Sequence, residues 1–459
     1  MTQLSVGIIP LSADRLERLP ICGFHRWLFA IIALAFFFDN IDLATMGFLL
    51  GSIKTEFGLT SAQAGLLASA SFVGMAAGAL MSGALADRFG RKLIFQTSMI
   101  IWGAASYLCS IAPDATWLAI FRALLGVGMG METPLAQTLL SEFVPAKSRG
   151  KYLALMEGNW PIAFICAGVL SDCVLWNYDW RTVFFLEAIP AFFVLCIRWV
   201  VPESPRWLDA RGRHAEAAAI MDRIEKIIMR RLKVSVLPTV AITASPAAQA
   251  EKGHGGLRAL ISPAYRKRTV MISGLWFFAL LGFYGLNTWL GALLQQSGLD
   301  VTKSVLFTVY ISLGGIPGFL SAAWAIERWG RKVTCLVTLV GATVGVYVFG
   351  QTLSMSLGGN ISLVAGAMMQ FFVFGIWCIL YAYTPELYPS RARASACGFA
   401  SFCGRIGALL GPTIIGIIIP MSNSMGPFIF GAVCFTLAAL VVFLYGVETK
   451  SSSLEEIST

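Results

Sequence analysis

The chain alternates long apolar runs with short polar breaks, and each run is about 20 residues, the length a helix needs to cross about 30 Å of hydrocarbon. Twelve such runs are predicted. The first six cover 27–50, 62–86, 93–112, 115–140, 152–174 and 180–201, and the second six cover 269–296, 304–326, 333–352, 360–384, 395–419 and 425–446. They divide the chain into a tail (1–26), a six-helix bundle (27–201), a polar linker (202–268), a second six-helix bundle (269–446) and a closing tail (447–459). Membrane barrels would show short alternating segments instead. The predicted class is an all-α membrane protein.

The polar breaks repeat as well. Gly83 to Lys92, GALADRFGRK, returns as Ile326 to Lys332, IERWGRK, so that Asp87, Arg88 and Arg91 match Glu327, Arg328 and Arg331 at an offset of 240. Glu142, Pro145 and Arg149 match Glu386, Pro389 and Arg393 at an offset of 244. A weaker pair sets Val201-Pro-Glu-Ser beside Val447-Glu-Thr-Lys. The chain reads as two tandem copies of one membrane unit.

Composition agrees with this reading. Hydrophobic residues make up 57% and charged residues 13% of the chain, against about 25% charged in soluble domains. The net charge of +9 does not point to nucleic acid, because the basic residues sit in alternate breaks. Apart from Lys54, Arg122, Arg181, Arg198, Lys303 and Arg405, every Lys and Arg falls in the tails, the linker or the breaks after runs 2, 4, 8 and 10. The positive-inside rule then puts both termini and the linker in the cytoplasm. Met1 to Pro20 reads as a polar tail rather than a signal peptide. Within the linker, 211–231 carries Ala217, Ile220, Ile224, Ile227 and Ile228 at helical spacing, and Pro238 to Gly256 is rich in Ala, Pro and Gly. Ten cysteines without CxxC spacing, such as Cys166, Cys196, Cys378 and Cys434, read as small apolar residues of the runs. GxSxG, HExxH and P-loop motifs are lacking, and His25, His214 and His254 lie outside the runs, so neither an enzyme nor a cofactor or metal site is expected.

Charges inside runs need a reason, because each costs at least about 2.5–3.5 kcal/mol on insertion scales. Run 1 carries Asp39 and Asp42, run 4 Arg122 and Glu132, run 5 Glu157 and run 11 Arg405. Arg405 reads either as a carboxylate clamp facing a central cavity or as one more positive-inside anchor. Runs 7 and 10 bring the aromatic and amide side chains Trp276, Tyr284, Asn287 and Trp289, and Gln370, Trp377, Tyr381 and Tyr383. Rings suit a flat ligand, although such stripes also face lipid. Run 7 lacks the series of amides that several sugar hydroxyls need.

Two six-helix halves with GxxxDRxGRK after run 2 resemble the major facilitator superfamily. PESPRWL (Pro202 to Leu208) is like the end of the first half of sugar porters and related metabolite–proton symporters. Tyr381 to Pro412, Trp324 to Lys332 and Met131 to Glu142 look like the corresponding stretches of nicotinate permeases. The resemblance implies a secondary transporter of the inner membrane, working as a monomer, that imports a small organic acid with protons by alternating access. A sugar or polyol symporter, an exporter of aromatic compounds and a non-transporting sensor stay as alternatives. FRALLGVGMG in run 4 resembles proton-coupled sugar porters, which implies that Arg122 pairs with Asp42, with Asp39 one turn away as the competing partner. Glu132 and Glu157 match acidic positions of the nicotinate-permease pattern, and the resemblance implies that with Asp42, Asp39 and Arg122 they serve proton coupling; orienting arginines or bridging helices are the alternatives for these two. At the cytoplasmic ends the motif charges Asp87, Arg88, Arg91, Glu142, Arg149, Glu327, Arg331, Glu386 and Arg393 are expected either to latch a gate or only to stop helices. The pairs expected there are Asp87 with Arg149 and Glu327 with Arg393.

Overall fold

A computed structural model describes residues 12–193, 197, 199, 201–234, 236–238, 260, 262–263, 265–296, 298, 300–388, 390–422 and 424–450. Within these every regular element is a helix. The first half holds α1 (Ser12–Glu17), α2 (Gly23–Glu56), α3 (Ser61–Phe89), α4 (Arg91–Ser110), α5 (Ala115–Phe143), α6 (Ala146–Glu157), α7 (Trp160–Leu175) and α8 (Trp180–Ala188). The linker contributes α9 (Pro205–Ala210) and α10 (His214–Leu232). The second half holds α11 (Arg266–Gln296), α12 (Val301–Ser312), α13 (Gly315–Trp329), α14 (Arg331–Ser354), α15 (Gly359–Glu386), α16 (Ser390–Ile418) and α17 (Gly426–Tyr445).

Eleven of the described helices or helix pairs are long and apolar enough to cross a membrane. The sixth predicted run begins with α8 and continues into residues outside the described set. Run 5 is broken into α6 and α7 at Gly158-Asn159, with Pro161 in the first turn of α7, and run 8 is broken into α12 and α13 at Leu313-Gly314. Pro fits a first helical turn, where its missing N–H has no helical partner to lose.

The two halves repeat one packing pattern. α3 packs on α5 as α13 packs on α15, and α4 lies on α5 as α14 lies on α15. Glycines allow the tight contacts within each half. A Cβ on Gly74 would stand 1.8 Å from the Ala123 carbonyl oxygen, and one on Gly318 would stand 1.9 Å from that of Phe371.

The GRK turns have a common construction. α3 ends at Gly90 (φ 106°) and α13 at Gly330 (φ 90°), backbone angles that favour glycine. Each turn is then sealed by a distant carboxylate. Glu203 accepts the backbone N–H groups of Arg91 (3.0 Å) and Lys92 (3.1 Å) at the start of α4. Glu448 does the same for Arg331 (2.8 Å) and Lys332 (3.1 Å) at the start of α14. An anion at a helix N-terminus satisfies orphan donors and meets the positive end of the dipole. The faint likeness between Val201-Pro-Glu-Ser and Val447-Glu-Thr-Lys therefore has a structural cause.

The halves meet through α3 against α16, α2 against α11 and α7 against α12. These contacts gather at the end away from the GRK turns. Gly65 lies against the backbone of Pro412 and Thr413, Gly47 against that of Asn287 and Thr288, and the Ser69 hydroxyl donates to the Leu409 carbonyl at 2.7 Å. At the GRK end no described ion pair joins one six-helix half to the other.

Candidate functional site

A cavity lies between the halves, and side chains of α2, α3, α5, α6 and α7 face side chains of α11, α15 and α16 across it. The break in run 5 builds one wall, since Glu157 ends α6 and Trp160 begins α7. A helix interrupted in mid-membrane exposes backbone ends and polar side chains where a continuous helix would hide them. The Glu157 carboxylate accepts the Gln137 amide at 2.8 Å.

Arg405 stands on the opposite wall, between Ser401 and Ala408 of α16. It lies within electrostatic reach of Glu157, Tyr284 and Tyr381. Of its two sequence readings, the structure selects the cavity. Rings close the sides: Trp160 and Trp377 have centroids 5.9 Å apart, Phe72 meets Tyr284 at 4.7 Å, and Trp377 stacks on Tyr381 at 6.1 Å. The first two contacts join residues of opposite halves, and the third lies within α15. Trp276 completes the lining and is fixed by its indole N–H donating to the Thr384 hydroxyl at 2.9 Å.

Other ring and amide candidates sit elsewhere. Asn287 and Gln370 are buried and bonded to each other, with the Gln370 amide donating to Asn287 at 2.8 Å. Trp289 is fully buried and donates to the Pro412 carbonyl at 2.8 Å. The Tyr383 hydroxyl donates to the Val447 carbonyl at the GRK end. None of the four lines the cavity. Sequence spacing places such residues on a helix, but not on the face that meets the opposite half.

The first half carries a second polar centre. Arg122 donates to Asp42 at 2.7 Å, with both side chains at most 1% exposed. The Arg122 guanidinium also lies 5.5 Å from the centroid of the Phe184 ring. Glu187 of α8 joins them through a hydrogen bond from the Thr45 hydroxyl, and it too is buried. Glu187 was missed in the sequence, although a lone Glu in VFFLEAIPAFF is its visible signal. Two carboxyls and one guanidinium shut away from water leave one negative charge over, so binding one proton would neutralise the group. Beside it, Asp39 and Glu132 are fully buried within electrostatic reach of each other, and among the described residues neither carboxyl has a hydrogen-bond partner.

At the GRK end the charges pair differently from expectation. Arg91 donates to Asp87 at 2.6 Å and to Glu142 at 3.4 Å. Arg331 donates to Glu327 at 3.2 Å and holds Glu386 with two bonds of 2.8 Å. Arg149 instead meets Glu17 of α1 at 3.2 Å, and Glu17 also takes Arg206 of the linker at 2.7 Å. Asp87 therefore pairs across the short glycine turn rather than with Arg149. Glu327 pairs with Arg331, and the side chain of its expected partner Arg393 lies outside the described residues. Arg88 lies over the Phe89 ring. The linker helix is held by the tail: Arg15 reaches Asp222 at 2.6 Å and Glu225 at 2.9 Å, and Arg18 reaches Glu225 at 2.8 Å. Among the described residues no cluster of His, Cys, Asp and Glu could hold a metal ion.

The family profile named "Major Facilitator Superfamily" matches residues 32–412. The chain belongs to this superfamily. It is 36% identical to the niacin transporter NiaP of Acinetobacter baylyi, covering 97% of this chain and 99% of that one. The putative niacin/nicotinamide transporter NiaP of Bacillus subtilis is 30% identical, covering 94% of this chain and 98% of that one. In fold it matches the inward-open xylose transporter XylE from E. coli with a TM-score of 0.72 at 20% identity, over 94% of this chain and 99% of that one. The protein is thus a multi-pass membrane transporter and not an enzyme.

Proposed function

We propose that this transporter imports a small aromatic or heteroaromatic acid, with nicotinate the leading substrate, by proton symport and alternating access. The carrying observation is Arg405 on the wall of a ring-lined cavity between the halves. A guanidinium grips a carboxylate with paired hydrogen bonds, and flat rings pack on flat rings. The niacin transporters to which the chain is similar support the same class. A sugar or polyol fits less well, because Asn287 and Gln370 are engaged with each other.

An anion entering against an inside-negative potential needs coupling, at about 2.3 kcal/mol per charge per 100 mV. The Asp42–Arg122–Glu187 group, the Asp39–Glu132 pair and Glu157 in the cavity are the candidate proton carriers of this reading, each holding a buried carboxyl that binding of a proton would neutralise. Positive-inside places both termini, the linker (202–268) and the GRK ends of the two bundles in the cytoplasm of an inner membrane. In this reading the motif charges brace each half as the halves rock. One chain contains the whole cavity, which suits a functional monomer.

Uptake of labelled nicotinate into energised cells making the protein tests this. The expected result is accumulation that a protonophore abolishes and unlabelled nicotinate competes. Uptake of glucose or xylose without nicotinate would overturn the substrate class, and uptake indifferent to the protonophore would overturn symport.

A further inference from the structure

We infer that Glu157 reads the edge of the substrate ring remote from its carboxylate, so that the cavity selects a pyridine-type acid over a benzoate-type acid. This rests on the reading of Arg405 as the carboxylate grip. Glu157 and Arg405 line the same cavity from opposite halves and lie within electrostatic reach of each other. Trp160, Tyr284, Trp377 and Tyr381 line the same cavity, rings that match a planar guest. A ring whose carboxylate sits on Arg405 turns its far edge toward Glu157.

What that edge offers decides the outcome. A benzoate presents only C–H groups. A pyridine carboxylate presents a nitrogen lone pair, which needs a donor once water is displaced. An ionised Glu157 repels this lone pair, whereas a protonated Glu157 donates its O–H to it. The Gln137 amide donates to one carboxyl oxygen of Glu157 at 2.8 Å, the Tyr381 hydroxyl is a second hydrogen-bond partner, and together they fix the orientation of the group. Glu157 sits at the end of α6, where the helix break turns it toward the cavity. Substrate anion and proton then enter together: the proton stays on the Glu157 oxygen or shifts along the O–H···N bond, and the pair adds no net charge. Nicotinamide would keep the nitrogen contact and lose the grip of Arg405.

The test is equilibrium binding of labelled nicotinate to the purified full-length protein in detergent, with unlabelled nicotinate, benzoate and nicotinamide as competitors over a range of pH. Binding does not depend on turnover, so loss of proton coupling does not obscure it. The expected result is that benzoate competes about tenfold or more weakly than nicotinate. In Glu157→Leu nicotinate falls to the affinity of benzoate while benzoate is unchanged. Glu157→Gln, which keeps an N–H donor, retains the preference and flattens the pH dependence of nicotinate binding. Equal affinity of the two acids for the native protein, or an equal loss of both in Glu157→Leu, with both still dependent on Arg405, would overturn the role of Glu157 and leave the grip standing. Undiminished binding of both acids to Arg405→Ala would overturn the grip itself, and this inference with it.

Discussion

The two halves of the molecule share a scaffold and divide the chemistry. Both have a glycine turn at Gly90 or Gly330, a sealing carboxylate at Glu203 or Glu448, and an arginine, Arg91 or Arg331, held between two acids. In the spans they differ. Asp39, Asp42, Glu132, Glu157 and Glu187 are all buried in the first half, while among the described residues the second half buries no Asp or Glu. The second half contributes the cavity cation, Arg405. Duplication preserves what a helix end requires, since every copy faces the same orphan N–H groups. It leaves the interior free to diverge. On the proposed reading, the proton groups lie on one side and the anion grip on the other, and the cavity is where the two halves would influence each other.

The sharpest way to break this division is Arg405→Ala. Removing one partner of a desolvated charged contact costs about 2–5 kcal/mol, so nicotinate binding is expected to weaken by tens-fold or more, with Arg405→Lys intermediate. A change below about threefold in equilibrium binding would mean that the second half does not hold the anion. Asp42→Asn probes the first half. It takes the hydrogen-bonded carboxylate from buried Arg122 and leaves Glu187 as the remaining carboxyl of the group, at a cost of at most about 3–5 kcal/mol. A drop in melting temperature in detergent is expected, with a larger drop in Asp42→Asn/Glu187→Gln, which strips Arg122 of both carboxylates; a double variant no less stable than the single would count against Glu187 as a member of the group.

The scaffolds themselves are predicted to be unequal. Glu386 holds Arg331 through two bonds of 2.8 Å and also takes the Thr449 hydroxyl at 2.6 Å, whereas Glu142 has one contact of 3.4 Å with Arg91. Glu386→Gln should therefore lower the melting temperature more than Glu142→Gln, and the reverse order would show that the repeat is not graded this way. The smallest effect concerns Glu448. Burial alone would raise its pKa, but the N–H groups of Arg331, Lys450, Lys332 and Thr449 outweigh that and hold it below the usual Glu value. Its contribution, about 1 kcal/mol for a helix cap, is complete above the usual Glu range and is lost as pH falls through the depressed value. Melting curves of Glu448→Gln should show less loss of stability in acid than those of the native protein. Parallel curves would sink the assignment.

Much of the architecture was legible in the sequence because its signals are local. Run length reports on bilayer thickness, and the GRK turns recur because glycine and charge are required wherever two membrane helices reverse at the basic side. The chemistry-bearing residues Asp42, Arg122, Glu157 and Arg405 were visible for the same reason: a charge in an apolar run stands out against its neighbours. Partners were less legible. Asp87 was expected to meet Arg149 and meets Arg91, since a four-residue separation across a turn outcompetes a partner on a helix distant in sequence. The break at Gly158-Asn159 was hidden inside a run whose composition satisfies a continuous helix.

The sequence by itself determined the all-helical membrane class, the duplication and the superfamily, because these follow from the periodicity, length and motifs of single segments. Only the tertiary structure decided which charges share a site. It gathered Glu187 onto Asp42 and Arg122, turned Arg405 toward the cavity, and locked Asn287 onto Gln370. Those outcomes depend on the rotation of each helix about its axis and on the face that the other half covers. Packing between distant segments sets both.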